Sequence, residues 1–320
     1  MGGSLGYGLF EYGSFGSFAY VAAAGGHAGH AGHSGHAGHS HGHAPTPASA
    51  PDGSSAGLLL AGWAYDLLPL LAVALPLMLA YAAAAVLTGR RYKRWPAYRV
   101  ALWCAGVLLS AAAVAGPLAG LAHGSFTFHM LGHLLLGMLG PLLLVLSAPM
   151  TLLLRTLPRA GARRLSALLR SRAAATLTHP VTAAALNFGG LWLLYTTGLY
   201  TAMHHSAALH AAVHLHVFAA GYLFAASILP IDPAPHRTGF KLRTCVMIVA
   251  FASHGILGKY LYASPPAGVT VADAHTGAQL MYYGGDAVDL LLIVLFCSAW
   301  YKRSGRTAAS ASPVSRADFG

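Results

Sequence analysis

The sequence predicts an all-α protein, a polytopic membrane bundle of about seven transmembrane helices with its N-terminus outside and its C-terminus in the cytoplasm. Three observations carry this expectation. The chain has 320 residues, of which 56% are hydrophobic and only 8% charged, against about 25% charged in soluble domains. Apolar runs of about 20 residues, long enough to cross a hydrocarbon core as helices, recur at roughly 63–88, 97–121, 126–148, 180–202, 207–229, 240–262 and 279–301. Finally, the basic residues fall almost entirely in alternate connections between these runs.

That third observation sets the orientation. Arg90, Arg91, Lys93, Arg94 and Arg99 follow the first run, and Arg155, Arg159, Arg163, Arg164, Arg170 and Arg172 follow the third. Arg237, Lys241 and Arg243 follow the fifth, and Lys302, Arg303, Arg306 and Arg316 follow the seventh. Eighteen of the nineteen Lys and Arg residues thus lie on one side, and only Lys259 lies toward the other. Cytoplasmic loops of membrane proteins carry the Lys/Arg excess, which puts these connections inside. The net charge of +11 therefore reads as a topology signal facing a lipid bilayer, and no nucleic-acid partner is expected.

Taken in order, residues 1–57 form an external tail rich in His, Gly and Ala. Its first 26 residues are glycine- and aromatic-rich, with no Lys or Arg before Arg90, and make a poor secretory signal. His27, His30, His33, His36 and His39 then recur every third residue, followed by His41 and His43. Such a stretch cannot bury a core, so it is expected to be disordered, with imidazoles free to gather copper, nickel or zinc. Pro45, Pro47 and Pro51 lead into the membrane domain, expected at 58–303, and residues 304–320 form a cytoplasmic tail. Between the third and fourth runs, Leu153 to Thr176 interleaves six arginines with leucines, which predicts an amphipathic helix lying on the cytoplasmic interface. Cys104, Cys245 and Cys297 fall within spans without a Cys-x-x-Cys motif and read as packing residues.

The ionisable groups inside the spans share one depth. His129 and His133 lie one turn apart near the outer end of the third span, and His210 and His214 do the same in the fifth. His254 in the sixth span, Asp286 and Asp289 in the seventh, and Asp66 near the outer end of the first occupy the same layer. Ionisable side chains are costly in lipid and tend to mark function. Imidazole suits copper, zinc, iron and nickel, and Met130, Met203 and Met281 add soft thioethers that favour Cu(I). The candidate metal ligands of the membrane site are His129, His133, His210, His214, His254, Asp286 and Met130. Asp286 or Asp289 could ligate, or could orient an imidazole from behind. His216 points to another face, while His123, His204, His205 and His275 sit in short outer loops. The competing reading is that these histidines bond to one another and to backbone to hold helices together.

Several of these stretches carry a family likeness. FHMLGH from Phe128 and LLLGMLGPLLLVLSAPMTLLLR after it, the His179-Pro180 pair, and LHAAVHLHVFAAGYLF running into LPIDPAP resemble the bacterial CtaG-type assembly factors of caa-type cytochrome c oxidases. SHGILGKYLY and QLMYYGGDAVDLLL extend the resemblance, which covers about residues 58–303. It implies a non-enzymatic role in maturing the oxidase, with oxidase subunits as partners and copper bound or delivered for the outward-facing copper centre. It also implies that His129, His133, His214 and His254 are the family's histidines and Asp286 its acidic residue. The chain departs from the family at Gly132, where Gln is usual. Two other functions remain open from the residues themselves, a copper transport or tolerance protein and a haem-binding membrane oxidoreductase. The inner half of the membrane offers a transporter only Cys104, Cys245 and Cys297, whereas haem could be held by histidines on two facing helices.

The topology is directly testable. A reporter fused after Arg316 should be cytoplasmic and one fused near Pro51 external. Finding both on one side would replace the odd number of crossings with an even one.

Overall fold

The computed structural model describes residues 53–229 and 231–310, with the side chains of 53–66, 91 and 303–310 left out. The expected tail histidines His27, His30, His33, His36, His39, His41 and His43, the side chain of Asp66, and residues 311–320 lie outside the described residues. In chain order the helices are α1 (Gly53–Arg91), α2 (Ala97–Val114), α3 (Pro117–Gly124), α4 (Phe126–Leu134), α5 (Gly140–Leu146), α6 (Pro149–Thr156) and α7 (Arg159–Leu169). They continue as α8 (Arg172–Leu177), α9 (Pro180–Ala184), α10 (Gly190–Thr196), α11 (Leu199–His204), α12 (Ala207–Ile228), α13 (Phe240–Ala263) and α14 (Val271–Ser310). Two π-helical turns, Leu135–Leu139 and Ala185–Gly189, join α4 to α5 and α9 to α10.

The chain is thus a helical membrane bundle. Six stretches among the described residues are long and apolar enough to cross: Leu67–Arg90, α2, Phe126–Leu146, α12, α13 and Val271–Lys302. The run expected at 180–202 is helical only to Thr196. There the Thr196 and Thr197 hydroxyls turn back to the carbonyls of Trp192 and Leu193, each at 2.6 Å. Such back-bonding satisfies the last carbonyls of a helix, and Thr197 then turns extended before α11. The expected second span also stops early, at Val114, because Gly116 adopts φ 87° and Pro117 starts a new helix. Only glycine takes that conformation without strain. The amphipathic segment divides into α6, α7 and α8 at Pro158 and at Ser171, whose hydroxyl accepts from the Ala174 amide.

One span is central. In Phe126–Leu146, 67% of the most apolar stretch is buried within the protein, against 22–33% in the other five, so its neighbours surround it while they themselves face lipid. Close packing comes from glycines, as between membrane helices generally. A Cβ on Gly277 or Gly284 of α14 would strike Phe126 or Leu134, and one on Gly221 of α12 would strike the Gly137 carbonyl.

Carboxylates from distant sequence fasten the start of this span and the start of α6 just beyond its end. α14 begins at Val271, well before the expected 279, because Thr270 accepts from the Asp273 amide at 3.4 Å. Asp273 then accepts from the amides of Phe126 and Thr127 at 2.6 and 3.1 Å, and from the hydroxyls of Thr127 and Ser125 at 2.6 and 3.0 Å. A carboxylate there satisfies orphan donors and meets the positive end of the helix dipole. At the other end Asp232 repeats the device on α6, accepting from the Met150 and Thr151 amides and the Thr151 hydroxyl at 3.1, 2.8 and 2.6 Å.

D273A should therefore destabilise the protein by about 1–3 kcal/mol, with D273N intermediate, measured as thermal unfolding of the purified protein in detergent. Wild-type stability for D273A would mean that the cap is dispensable.

Candidate functional site

The central span carries His129 and His133 on its buried face, with 8% and 7% of their surfaces exposed, and Met130 between them fully enclosed. His129 Nε2 lies 3.1 Å from the Tyr195 hydroxyl, and the edges of Tyr195 and Tyr200 meet its ring. His133 looks toward α13, where the His254 ring centre is 6.2 Å away. His254 is 1% exposed, packed edge-on against Phe188 and pressed onto Gly285 of α14, where a Cβ would collide with the ring. Among the described residues, His133 Nε2 and both ring nitrogens of His254 have no hydrogen-bond partner. Buried polar atoms are nearly always bonded, and each exception calls for an explanation.

The α12 pair is arranged differently. His210 and His214 stack at 4.3 Å, and His123 of α3 stacks on His210 at 5.3 Å, making a half-open column of three imidazoles. The Nδ1 atoms of His123, His204 and His214 each lie 2.8–2.9 Å from a backbone carbonyl four residues earlier. A carbonyl only accepts, so Nδ1 carries the proton and Nε2 keeps the lone pair that a metal or proton would use. His204 lies 6.4 Å from His129 by ring centres, and His214 stands one helical turn further along α12 than His210. The column therefore leads from the end of the bundle toward the buried pair. His205 and His275 stay apart from it, His275 stacking on Tyr262 at 4.0 Å.

One helical turn beyond the pair, a cavity of about 20 Å³ is lined by Gly137, Asn187, Phe188, Gly221 and Asp289 among others, about the space one water needs. Both π turns open onto it, Leu135–Leu139 through Gly137 and Met138 and Ala185–Gly189 through Asn187 and Phe188. π turns in helices occur frequently at functional sites. Of the two acidic candidates, Asp289 is buried here and Asp286 is exposed. Helical phase is the reason: Asp289 follows Gly285 by one turn on the inward face, and Asp286 is rotated about 100° away. Among the described residues no three His, Cys, Asp or Glu side chains are gathered closely enough to hold a metal ion. Met130, Met203 and Met281 are all enclosed in one core cluster.

Two participants escaped the sequence reading, and a third, His216, takes a role other than ligation. Tyr195 and Asn187 lie in the run expected as a plain span, where nothing in a single sequence separates a polar lining from a lone polar residue. His216 serves the backbone, its Nε2–H donating at 3.0 Å to the Leu186 carbonyl in the second π turn.

The family described as cytochrome c oxidase caa3 assembly factor matches residues 79–303. An uncharacterized protein of Mycobacterium bovis is 30% identical over 285 residues, as is one of Mycobacterium tuberculosis, each covering 82% of this chain and 42% of the relative. A third, from Mycobacterium leprae, is 28% identical over 267 residues, with 77% and 40% covered. The chain thus spans about two fifths of the length of the curated relatives it matches. No solved structure matches it.

G285A tests the packing that holds His254. The added methyl falls on the ring, so overpacking should cost about 1–3 kcal/mol in thermal unfolding, whereas alanine at Gly189, which meets open space, should be neutral or stabilise by up to about 1 kcal/mol. Equal effects at both positions would show that His254 is free to move.

Proposed function

Because the chain belongs to the cytochrome c oxidase caa3 assembly factor family, we propose that it binds copper at its buried imidazoles and supplies it for the outward-facing copper centre of the oxidase. The observation that carries this reading is the His133–His254 pair, whose desolvated nitrogens lack partners among the described residues at a ring separation of 6.2 Å. The residues fit a cuprous ion. His133 and His254 would hold it through their unpartnered nitrogens, and imidazole and thioether both suit Cu(I). His129, held by Tyr195, is one turn away and outside the pair, with the enclosed Met130 beside it.

The other groups take their parts from position. The column of His123, His210 and His214, each presenting or flanking an unprotonated Nε2, offers exchangeable ligands for copper arriving from the aqueous side. Asp289 and Asn187 beyond the pair supply polarity to a site otherwise walled by apolar side chains. The external tail, His27 to His43, gathers the metal, so its deletion should impair function mainly when copper is scarce.

Replacing His133 or His254 by Ala separates this reading from a structural one. Losing one of few ligands removes most of the affinity for an ion, whereas losing one interhelical contact in a membrane costs about 0.6 kcal/mol on average. Bound copper and cellular cytochrome c oxidase activity should fall together in each variant while membrane abundance stays normal. Normal copper and activity in both variants would refute the assignment, and collapse of abundance alone would make the histidines structural. A Soret band in the purified protein would assign them to haem instead.

A further inference from the structure

Asp289 on α14 and Asn187 in the second π turn are each 6% exposed, and both line the cavity of about 20 Å³ beyond the histidine pair. Among the described residues neither side chain has a hydrogen-bond or ion-pair partner. Buried polar groups are nearly always paired, so two that face one space point to an occupant of that space. The remaining wall is apolar, with Leu142, Phe224 and Leu292, or bare backbone at Gly137 and Gly221. The Gly137 carbonyl stands against Gly221, where a Cβ would strike it, and it brings a third oxygen to the carboxylate and the amide.

Charge, hardness and size define the occupant. Asp289 lies well inside the apolar stretch Val271–Lys302, where an ionised carboxylate is costly unless a counter-charge meets it. One carboxylate balances one positive charge. Oxygen donors suit hard cations, and among the described residues no group of three His, Cys, Asp or Glu side chains surrounds the cavity to favour a transition metal. Room for about one water admits a dehydrated ion without its hydration shell. We propose that this cavity is a binding site for one dehydrated monovalent cation such as sodium, held by the Asp289 carboxylate, the Asn187 amide oxygen and the Gly137 carbonyl. The ion lies one turn from His133 but shares no donor with the imidazole pair, so the site stands independently of the copper reading. Because its donors come from α14, the second π turn and the central span, its binding ties three segments together.

Thermal unfolding of the full chain in detergent, with a chelator present to remove copper, tests this. Sodium chloride, set against choline chloride at equal ionic strength, should raise the midpoint by about 2–4 °C and then saturate, since choline is too large to enter. D289N should lose the shift, and N187A should need roughly tenfold more sodium to reach half of it. D286N, altered on the exposed face of α14, should keep it. Should D289N not accumulate, N187A carries the comparison. Equal midpoints in the two salts, or a shift that D289N retains, would overturn the proposal and leave the cavity to a water molecule. Loss of the shift in D286N alone would move the ion to the exposed carboxylate and overturn it equally.

Discussion

Inside lipid a backbone must close its own hydrogen bonds, and this bundle interrupts its helical ladder twice beside one cavity. The π turns at Leu135–Leu139 and Ala185–Gly189 each release backbone from the regular pattern. The Leu186 carbonyl is met by His216 from α12. The Gly137 carbonyl lies where α12 comes closest, at Gly221, and any larger residue there would push the helix away. One helix thus seals both interruptions. Because His133 precedes the first π turn and Phe188, in the second, backs His254, the placement of the imidazoles depends on these contacts.

Much of this was legible in the sequence, for physical reasons that also set the limits. Apolar run length located most of the membrane crossings, and helical rise assigned His129, His133, His210, His214 and His254 to one layer. Depth says nothing about rotation. The histidine facing His133 most closely is the single His254 rather than the pair on α12, and that choice rests on how α13 seats on Gly285. Asp286 and Asp289 illustrate the same limit, since both have the right depth and only the phase of α14 separates them. Irregular backbone was the least legible. No residue signature marks the π turns, and the polar stretch around Asp273 reads as loop until its carboxylate is seen bonded to Phe126 and Thr127.

The site has an economy that bears on the proposed role. Holding three imidazole nitrogens without partners among the described residues costs on the order of 1–3 kcal/mol each, a cost offset only by what approaches them. A scaffold protein with no ligand could replace His133 and His254 with apolar residues of similar volume and gain stability. Under the proposed role a bound ion would relieve this cost while present and restore it on leaving, which adds to the affinity of the site.

The Asp273 cap has a consequence for biogenesis. Its partners, Ser125 to Thr127, precede it by 146–148 residues, so during synthesis the central span enters the bilayer with one terminus untethered. Asp232, 81–82 residues beyond Met150 and Thr151, can secure the opposite terminus first. The last span closes the latch, and with it come Gly285 behind His254 and Asp289 beside the cavity. A chain that ends before α14 consequently lacks both the cap on the central span and the Gly285 surface on which His254 rests.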